Sequence, residues 1–262
     1  MTADEAGRVY VHRPYQGLGD WLFVLAVFKL VNQQRPDLKL WAKHRLPAGF
    51  PAQAFHCSDV VWNAGTPPAP YAEAADLIYR KWPPDNYIES TVHNLNDLTG
   101  LSIEYRAGVY PKFRGAERQP GDYVVMIGHG KKPNRGGREW GFDNFNALAH
   151  AVSHRYQIVQ IGNTADHPLH NARTRLLGGR FRNVAAMLAG AKAFIGTENG
   201  LAVLAGYLGV PQVTIYDGYQ LEEPYPRPRR LDFAGQLKIL ERIEPPEAAE
   251  RVLAWLNGLN SG

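Results

Sequence analysis

The sequence holds a single cysteine, Cys57, among 262 residues. That excludes an internal disulfide and any cluster of thiolate metal ligands, and a reducing compartment is expected. Long apolar runs are also missing. The longest, Trp21 to Val31, is interrupted by Lys29 and falls well short of the roughly 20 residues that a membrane helix needs. Met1 to His12 lacks the basic and apolar regions of a secretory signal, so a cytoplasmic location is expected. No Asp-x-Asp occurs anywhere, which removes the usual carboxylate pair for a metal-bound nucleotide sugar. His167 and His170 supply only two ligands, and neither a metal nor a resident cofactor is expected. The excess of one charge is small, 29 Lys and Arg against 25 Asp and Glu. A basic stripe with interleaved aromatics is absent, so nucleic acid is not expected as a partner.

What remains is an ordinary water-soluble composition, 45% hydrophobic and 21% charged with a mean hydropathy of −0.34. Val9 to His12 reads as a strand, and Gly17-Leu18-Gly19-Asp20 leads from it into a helix over Trp21 to Gln34, stopped by Pro36-Asp37. Strands are predicted at Leu38 to Ala42, Asp59 to Trp62 and Asp76 to Tyr79. Between Tyr110 and Gly121 the apolar periodicity lapses, and the domain linker is placed there. Strand and helix then alternate: strand Tyr123 to Ile127, helix Phe142 to Ser153, strand Gln157 to Ile161 and helix Val184 to Ala189. Strand Ala193 to Ile195, helix Gly200 to Leu208, strand Gln212 to Ile215 and a last helix Glu247 to Leu256 follow. This rhythm implies parallel sheets covered by helices. The reading is α/β with an N-terminal domain over residues 1–115 and a C-terminal domain over 116–262. The last helix is a candidate for packing back on the first domain.

In such sheets ligands bind at loops leaving the carboxyl ends of strands. Gly17 and Gly19 permit close backbone approach, and Asp20 reads either as a helix cap or as a general base. A dinucleotide fingerprint would want glycine where Leu22 stands and an acid near Ala42 and Lys43, so a dehydrogenase is disfavoured. After Tyr123 to Ile127 comes a Gly-rich loop with Lys131, Lys132, Arg135 and Arg138, either a solvated basic loop or a cradle for a diphosphate. After Ala193 to Ile195 come Thr197, Glu198, Asn199 and Gly200 at a helix start, where capping competes with binding of a ribose, sugar or phosphate. Tyr216 to Tyr219 is a turn or a further wall.

These motifs resemble those of the bacterial heptosyltransferase-type glycosyltransferases, which transfer ADP-heptose to lipopolysaccharide. Gly19-Asp20-Trp21-Leu22 with Arg35-Pro36-Asp37 resembles the family's Gly-Asp-x-Leu helix, and Arg138-Glu139-Trp140 its Lys-x-Trp-Pro segment. Val184 to Pro211 is similar to its helix, Ile-Gly-x-Asp-Ser-Gly and Leu-Gly-Val-Pro run, with Glu198 in the place of Asp and Val203 in the place of His. The resemblance implies two Rossmann-like domains of GT-B type facing a central cleft. It also implies an inverting, metal-independent transfer from a nucleotide-diphosphate sugar to a hydroxyl of a glycan or glycolipid. Separately, the basic excess, with a pI of 9.1, favours phosphate-bearing ligands or peripheral contact to an anionic membrane surface. Asp20 is the implied catalytic base, and Gly17 and Gly19 form its loop. The resemblance implies donor binding by the second domain, where Lys131, Lys132, Arg138, Thr197, Glu198, Asn199 and Gly200, in loops at the carboxyl ends of predicted strands, are the candidate donor-binding residues. A fucosyltransferase-like enzyme using a GDP-sugar and a non-catalytic sugar-nucleotide-binding protein are the alternatives.

Overall fold

The computed structural model describes residues 2–13, 17–44, 59–64, 66–75, 86–113, 116, 121–128, 140–164, 166–216 and 233–259. The chain forms two compact units, one of Met1–Arg114 with Arg229–Leu231, the other of Gly115–Pro228 with Asp232–Gly262.

In the first unit a short helix, α1 (Ala3–Ala6), leads into β1 (Arg8–Arg13). β1 is central in a four-stranded parallel sheet of order β3-β2-β1-β4, with β2 at Lys39–His44, β3 at Asn63–Ala64 and β4 at Ala72–Ala75. α2 (Leu18–Gln34) buries every residue from Trp21 to Phe28, and Leu30 and Val31 as well. A helix apolar on all sides is a core element rather than a surface one. Lys29, the charge within that run, is half-buried and held by Asp59 Oδ2 at 2.7 Å and the Tyr110 carbonyl at 2.6 Å. α3 (Tyr87–Thr99) packs on α2. It is capped by Asn86, whose side chain accepts from the Ile88 and Glu89 amides, and it ends at Gly100 in the left-handed region, φ 72°.

The strand expected at Asp59 to Trp62 is not one. The Asp59 carboxylate holds Lys29 and the Lys112 amide, and the Val61 amide donates to the Asn32 side chain, so this backbone is not in a ladder. Pairing starts only at Asn63. The other strand expected in this region, Asp76 to Tyr79, lies outside the described residues; β4 precedes it.

The second unit has a six-stranded parallel sheet of order β10-β9-β8-β5-β6-β7. Its strands are β5 (Tyr123–Met126), β6 (Gln157–Gly162), β7 (Thr174–Leu177), β8 (Ala193–Gly196), β9 (Gln212–Ile215) and β10 (Gln236–Ile239). Val124, Met126, Ile158, Ala193, Ile195, Val213, Ile215 and Ile239 form one apolar face. α4 (Phe142–Ser153) and α7 (Pro245–Gly258) cover it with Phe145, Leu148, Ala149, Val152, Ala248, Val252 and Leu256. α7 thus lies on α4 of its own unit, where the Trp140 indole N–H donates to the Ile243 carbonyl at 2.7 Å. α5 (Phe181–Ala189) and α6 (Gly200–Tyr207) complete the alternation.

Candidate functional site

Strand order locates the crevices. In the second unit the chain steps from β5 outward through β6 to β7, then returns to the other side of β5 with β8 and continues through β9 to β10. The direction reverses between β5 and β8, and an open parallel sheet binds ligands outside the carboxyl ends of its strands at such a reversal. β5 ends at Met126 and leads through Ile127 and Gly128 toward Lys131, Lys132 and Arg138; these three cations lie outside the described residues. β8 ends at Gly196 and leads directly to Thr197, Glu198, Asn199 and Gly200. The two segments are in close contact. A Cβ placed on Gly196 would stand 2.4 Å from Ile127 Cγ1, so only glycine lets the two strand ends approach this closely.

Thr197 is 2% exposed, and among the described residues its buried hydroxyl has no hydrogen-bond partner. A buried hydroxyl left so is unfavourable in the empty protein and available to a ligand. Glu198 is half-buried. Asn199 is the N-cap of α6: its Oδ1 accepts from the Leu201 amide at 2.8 Å and the Ala202 amide at 3.2 Å. The capping role weighed for it is therefore real, and it leaves the Asn199 side-chain NH2 and the Gly200 amide as donors at the positive end of α6. Val203 is buried in the helix, 3% exposed, and presents no polar group.

The first unit has a reversal of its own, between β1 and β4. The chain leaves β1 for α2 at that point, with Gly17 just before the helix and Gly19 and Asp20 in its first turn. Asp20 is not the helix cap considered from the sequence. The N-cap is Gly17, in extended conformation, so α2 begins at Leu18 and Asp20 is its third residue. Its carboxylate folds back over the start of the helix: a Cβ on Gly17 would stand 2.8 Å from Asp20 Oδ2. An acid at this position faces the positive end of the helix. The next residue, Trp21, is buried and meets Trp62 edge to face at 5.1 Å between ring centroids.

No protein-family model matches the chain, and no curated protein matches it. Solved structures do. E. coli ADP-heptose LPS heptosyltransferase II aligns over 96% of this chain and 99% of its own, with a TM-score of 0.65 at 14% identity. E. coli heptosyltransferase WaaC with ADP aligns over 95% and 99%, with a TM-score of 0.63 at 14% identity. The fold is that of the heptosyltransferases. A glycosyltransferase of family 9 from Veillonella parvula agrees, with a TM-score of 0.66 at 10% identity over 96% of this chain and 97% of its own. At such identities the likeness speaks for the fold, and the function of this heptosyltransferase-like chain is argued from its residues.

Of the residues expected at the site, Thr197, Glu198, Asn199 and Gly200 follow β8 at one reversal, and Gly17, Gly19 and Asp20 follow β1 at the other. Tyr216 follows β9, is 2% exposed and donates its amide to the Ile239 carbonyl; Asp217, Gly218 and Tyr219 lie outside the described residues. The two histidines weighed as ligands serve local packing. The His170 amide donates to Asn146 Oδ1, and the His167 ring lies 5.3 Å from Phe142. Among the described residues no three His, Cys, Asp or Glu side chains form a metal-holding group. Sequence reasoning passed over Gly196 and Ile127 as a close-contact pair, because nothing local tells which strand β8 will lie beside.

Proposed function

We propose that this protein is an inverting glycosyltransferase that moves a sugar from a nucleotide-diphosphate donor to a hydroxyl of a glycan or glycolipid. The observation that carries the reading is the position of the two chemically suited loops. In a heptosyltransferase fold, each leaves its sheet where the strand order reverses. ADP is the first nucleotide to try, since WaaC is a structure with ADP. A cytoplasmic location belongs to the same proposal. Among the described residues no helix is long and apolar enough to cross a membrane.

In the proposed reaction the second unit holds the donor. The Thr197 hydroxyl, the Asn199 NH2 and the Gly200 amide donate to diphosphate or sugar oxygens, and Glu198 accepts from a hydroxyl. Lys131, Lys132 and Arg138 neutralise the diphosphate, which makes it a leaving group without a metal. Asp20 takes the proton of the acceptor hydroxyl as that oxygen attacks the anomeric carbon from the face opposite the diphosphate. One C–O bond forms, the C–O bond to phosphate breaks, and the nucleoside diphosphate departs with the bonding pair. A single carboxylate suffices for inversion.

Asp20→Asn keeps the size of the side chain but cannot take the proton. It should bind nucleotide as the parent does and lose about 10² to 10⁴-fold in kcat. Near-normal turnover with a competent donor and acceptor would end the assignment of Asp20. Turnover retained in the presence of EDTA is expected, and loss of activity restored by a divalent ion would overturn metal independence. A parent protein that binds nucleoside diphosphate but releases none from any donor would be a non-catalytic sugar-nucleotide-binding protein.

A further inference from the structure

The end of α4 carries two of the nine histidines of the chain, His150 and His154, four residues apart. Residues at i and i+4 are neighbours on a helix surface. His154 is the C-cap, but its φ of −66° and ψ of −18° continue the helix, so the spacing holds through the last turn. The two rings stand 4.8 Å apart between centroids, at 75° to each other. Both residues are exposed, so burial does not bring the rings together. The His150 carbonyl accepts from the Ser153 hydroxyl, whereas among the described residues neither ring makes a hydrogen bond or an ion pair.

Two imidazoles at this spacing form a bidentate ligand. Metal–nitrogen bonds of about 2.0–2.1 Å place two ligating nitrogens about 3 Å apart. Ring centroids 4.8 Å apart leave that separation within reach, since the nitrogens lie on the ring perimeters. The local field has the right sign, because the carbonyls of a last turn give a helix a negative end that favours a cation. Arg155, exposed and next in the chain, is the opposing charge. One turn earlier, Asn146 is already used: its Oδ1 accepts from the His170 amide, and its NH2 lies 3.4 Å from His170 Nδ1. The pair therefore supplies two ligands and leaves the other coordination positions to water. Glu89 and His93 on α3, 4.0 Å apart, are a comparable exposed pair but hold one imidazole only.

We propose that His150 and His154 bind a divalent transition metal ion of the kind that prefers imidazole, Cu²⁺ more tightly than Zn²⁺, and that the ion clamps the last turn of α4. Hard ions such as Mg²⁺, which take oxygen ligands, are not bound there. The site lies apart from the transfer argued above. α4 follows the carboxyl end of β5 and three residues separate it from the start of β6, so the pair stands toward the amino ends of the strands, whereas Thr197 and Asn199 follow the carboxyl end of β8. An ion held by the pair takes no part in that reaction, and turnover in EDTA remains the expectation.

The test is calorimetric titration of the full chain, freed of metal by a chelator, with the chlorides of copper, zinc and magnesium, together with electron paramagnetic resonance of the copper-loaded protein. Cu²⁺ should bind with two nitrogen ligands in its spectrum, Zn²⁺ more weakly and Mg²⁺ not at all. His150→Phe and His154→Phe keep a ring at each place. Each should weaken Cu²⁺ binding about 10²-fold, because the second bond of a chelate forms within one molecule. The Tm should rise with Cu²⁺ in the parent and hardly move in these two variants. His93→Ala should bind as the parent does. Ala147→His added to His154→Ala restores two histidines at i and i+3 on exposed positions, and its recovery of binding separates a lost ligand from a folding defect. Undiminished binding in either phenylalanine variant, a spectrum with a single nitrogen, or a loss in His93→Ala equal to that in His150→Phe would overturn the proposal. So would no recovery on adding Ala147→His.

Discussion

At the scale of single residues, the position of the Asp20 carboxylate depends on an absence. Gly17 has no Cβ, and one placed there would meet Asp20 Oδ2 at 2.8 Å. Gly17→Ala should therefore push the carboxylate from its place with little effect on the fold, since the Gly17 backbone is extended and open to any residue. A displacement of about 1 Å in a catalytic group can lower turnover about 10²-fold. The expected signature is a fall in kcat with nucleotide affinity kept, together with a shifted pH profile. An unchanged kcat in Gly17→Ala, alongside an inactive Asp20→Asn, would show that the carboxylate has room to move. The Gly-Asp pair was legible in the sequence as a loop entering a helix. The frame was not, because the helix begins at Leu18 rather than Trp21 and makes Asp20 an interior residue instead of a cap.

At the scale of elements, β5 and β8 are held together by close approach. Gly196→Ala would bring a Cβ to 2.4 Å from Ile127 Cγ1 and 2.9 Å from Phe194 Cζ, and overpacking of this kind costs about 1–3 kcal/mol. Adding Ile127→Ala should recover part of that loss, and denaturant melts of the two single variants and the double variant measure the coupling. Additive losses would show that the contact does not limit the strand. Tyr123 links β5 to α5 by donating to the Met187 carbonyl at 2.6 Å. Burial raises its pKa above the ordinary tyrosine value. A raised folded-state pKa means that this contribution is complete below the ordinary phenol range, near about 10, and is lost as pH rises through the folded value. Tyr123→Phe should cost about 0.5–1.5 kcal/mol at neutral pH, and the gap to the parent should close in alkali. A gap that stays constant with pH would remove the hydroxyl from that account. Elements were legible where they carry their own pattern. Helix Phe142–Ser153 and strand Gln157–Gly162 follow from periodicity, whereas β7 and β10, four residues each and mostly half-buried, acquire their extended form from the neighbour they pair with.

At the scale of the whole molecule, nucleotide binding should register as stability, because a ligand that binds only the folded chain shifts unfolding by mass action. At a concentration about 100-fold over Kd the gain is about 2.7 kcal/mol, or several degrees in Tm for a protein of this size. A scan of ADP, UDP, GDP, dTDP and CMP should single out one base. No shift with any of them would count against the donor site at the β5 and β8 ends. The sequence by itself determined the α/β class, the lapse of periodicity between Tyr110 and Gly121, and the strand-to-helix junctions that carry Gly17, Asp20, Thr197 and Glu198, because each of these is written in neighbouring residues. Only the tertiary structure decided that β8 returns beside β5 and β4 beside β1, and hence which loops lie at a reversal of strand order. Parallel pairing joins residues far apart in the chain, such as Val124 with Ala193 and Val9 with Ala72, and its hydrogen bonds are made by the backbone, which is the same at every residue.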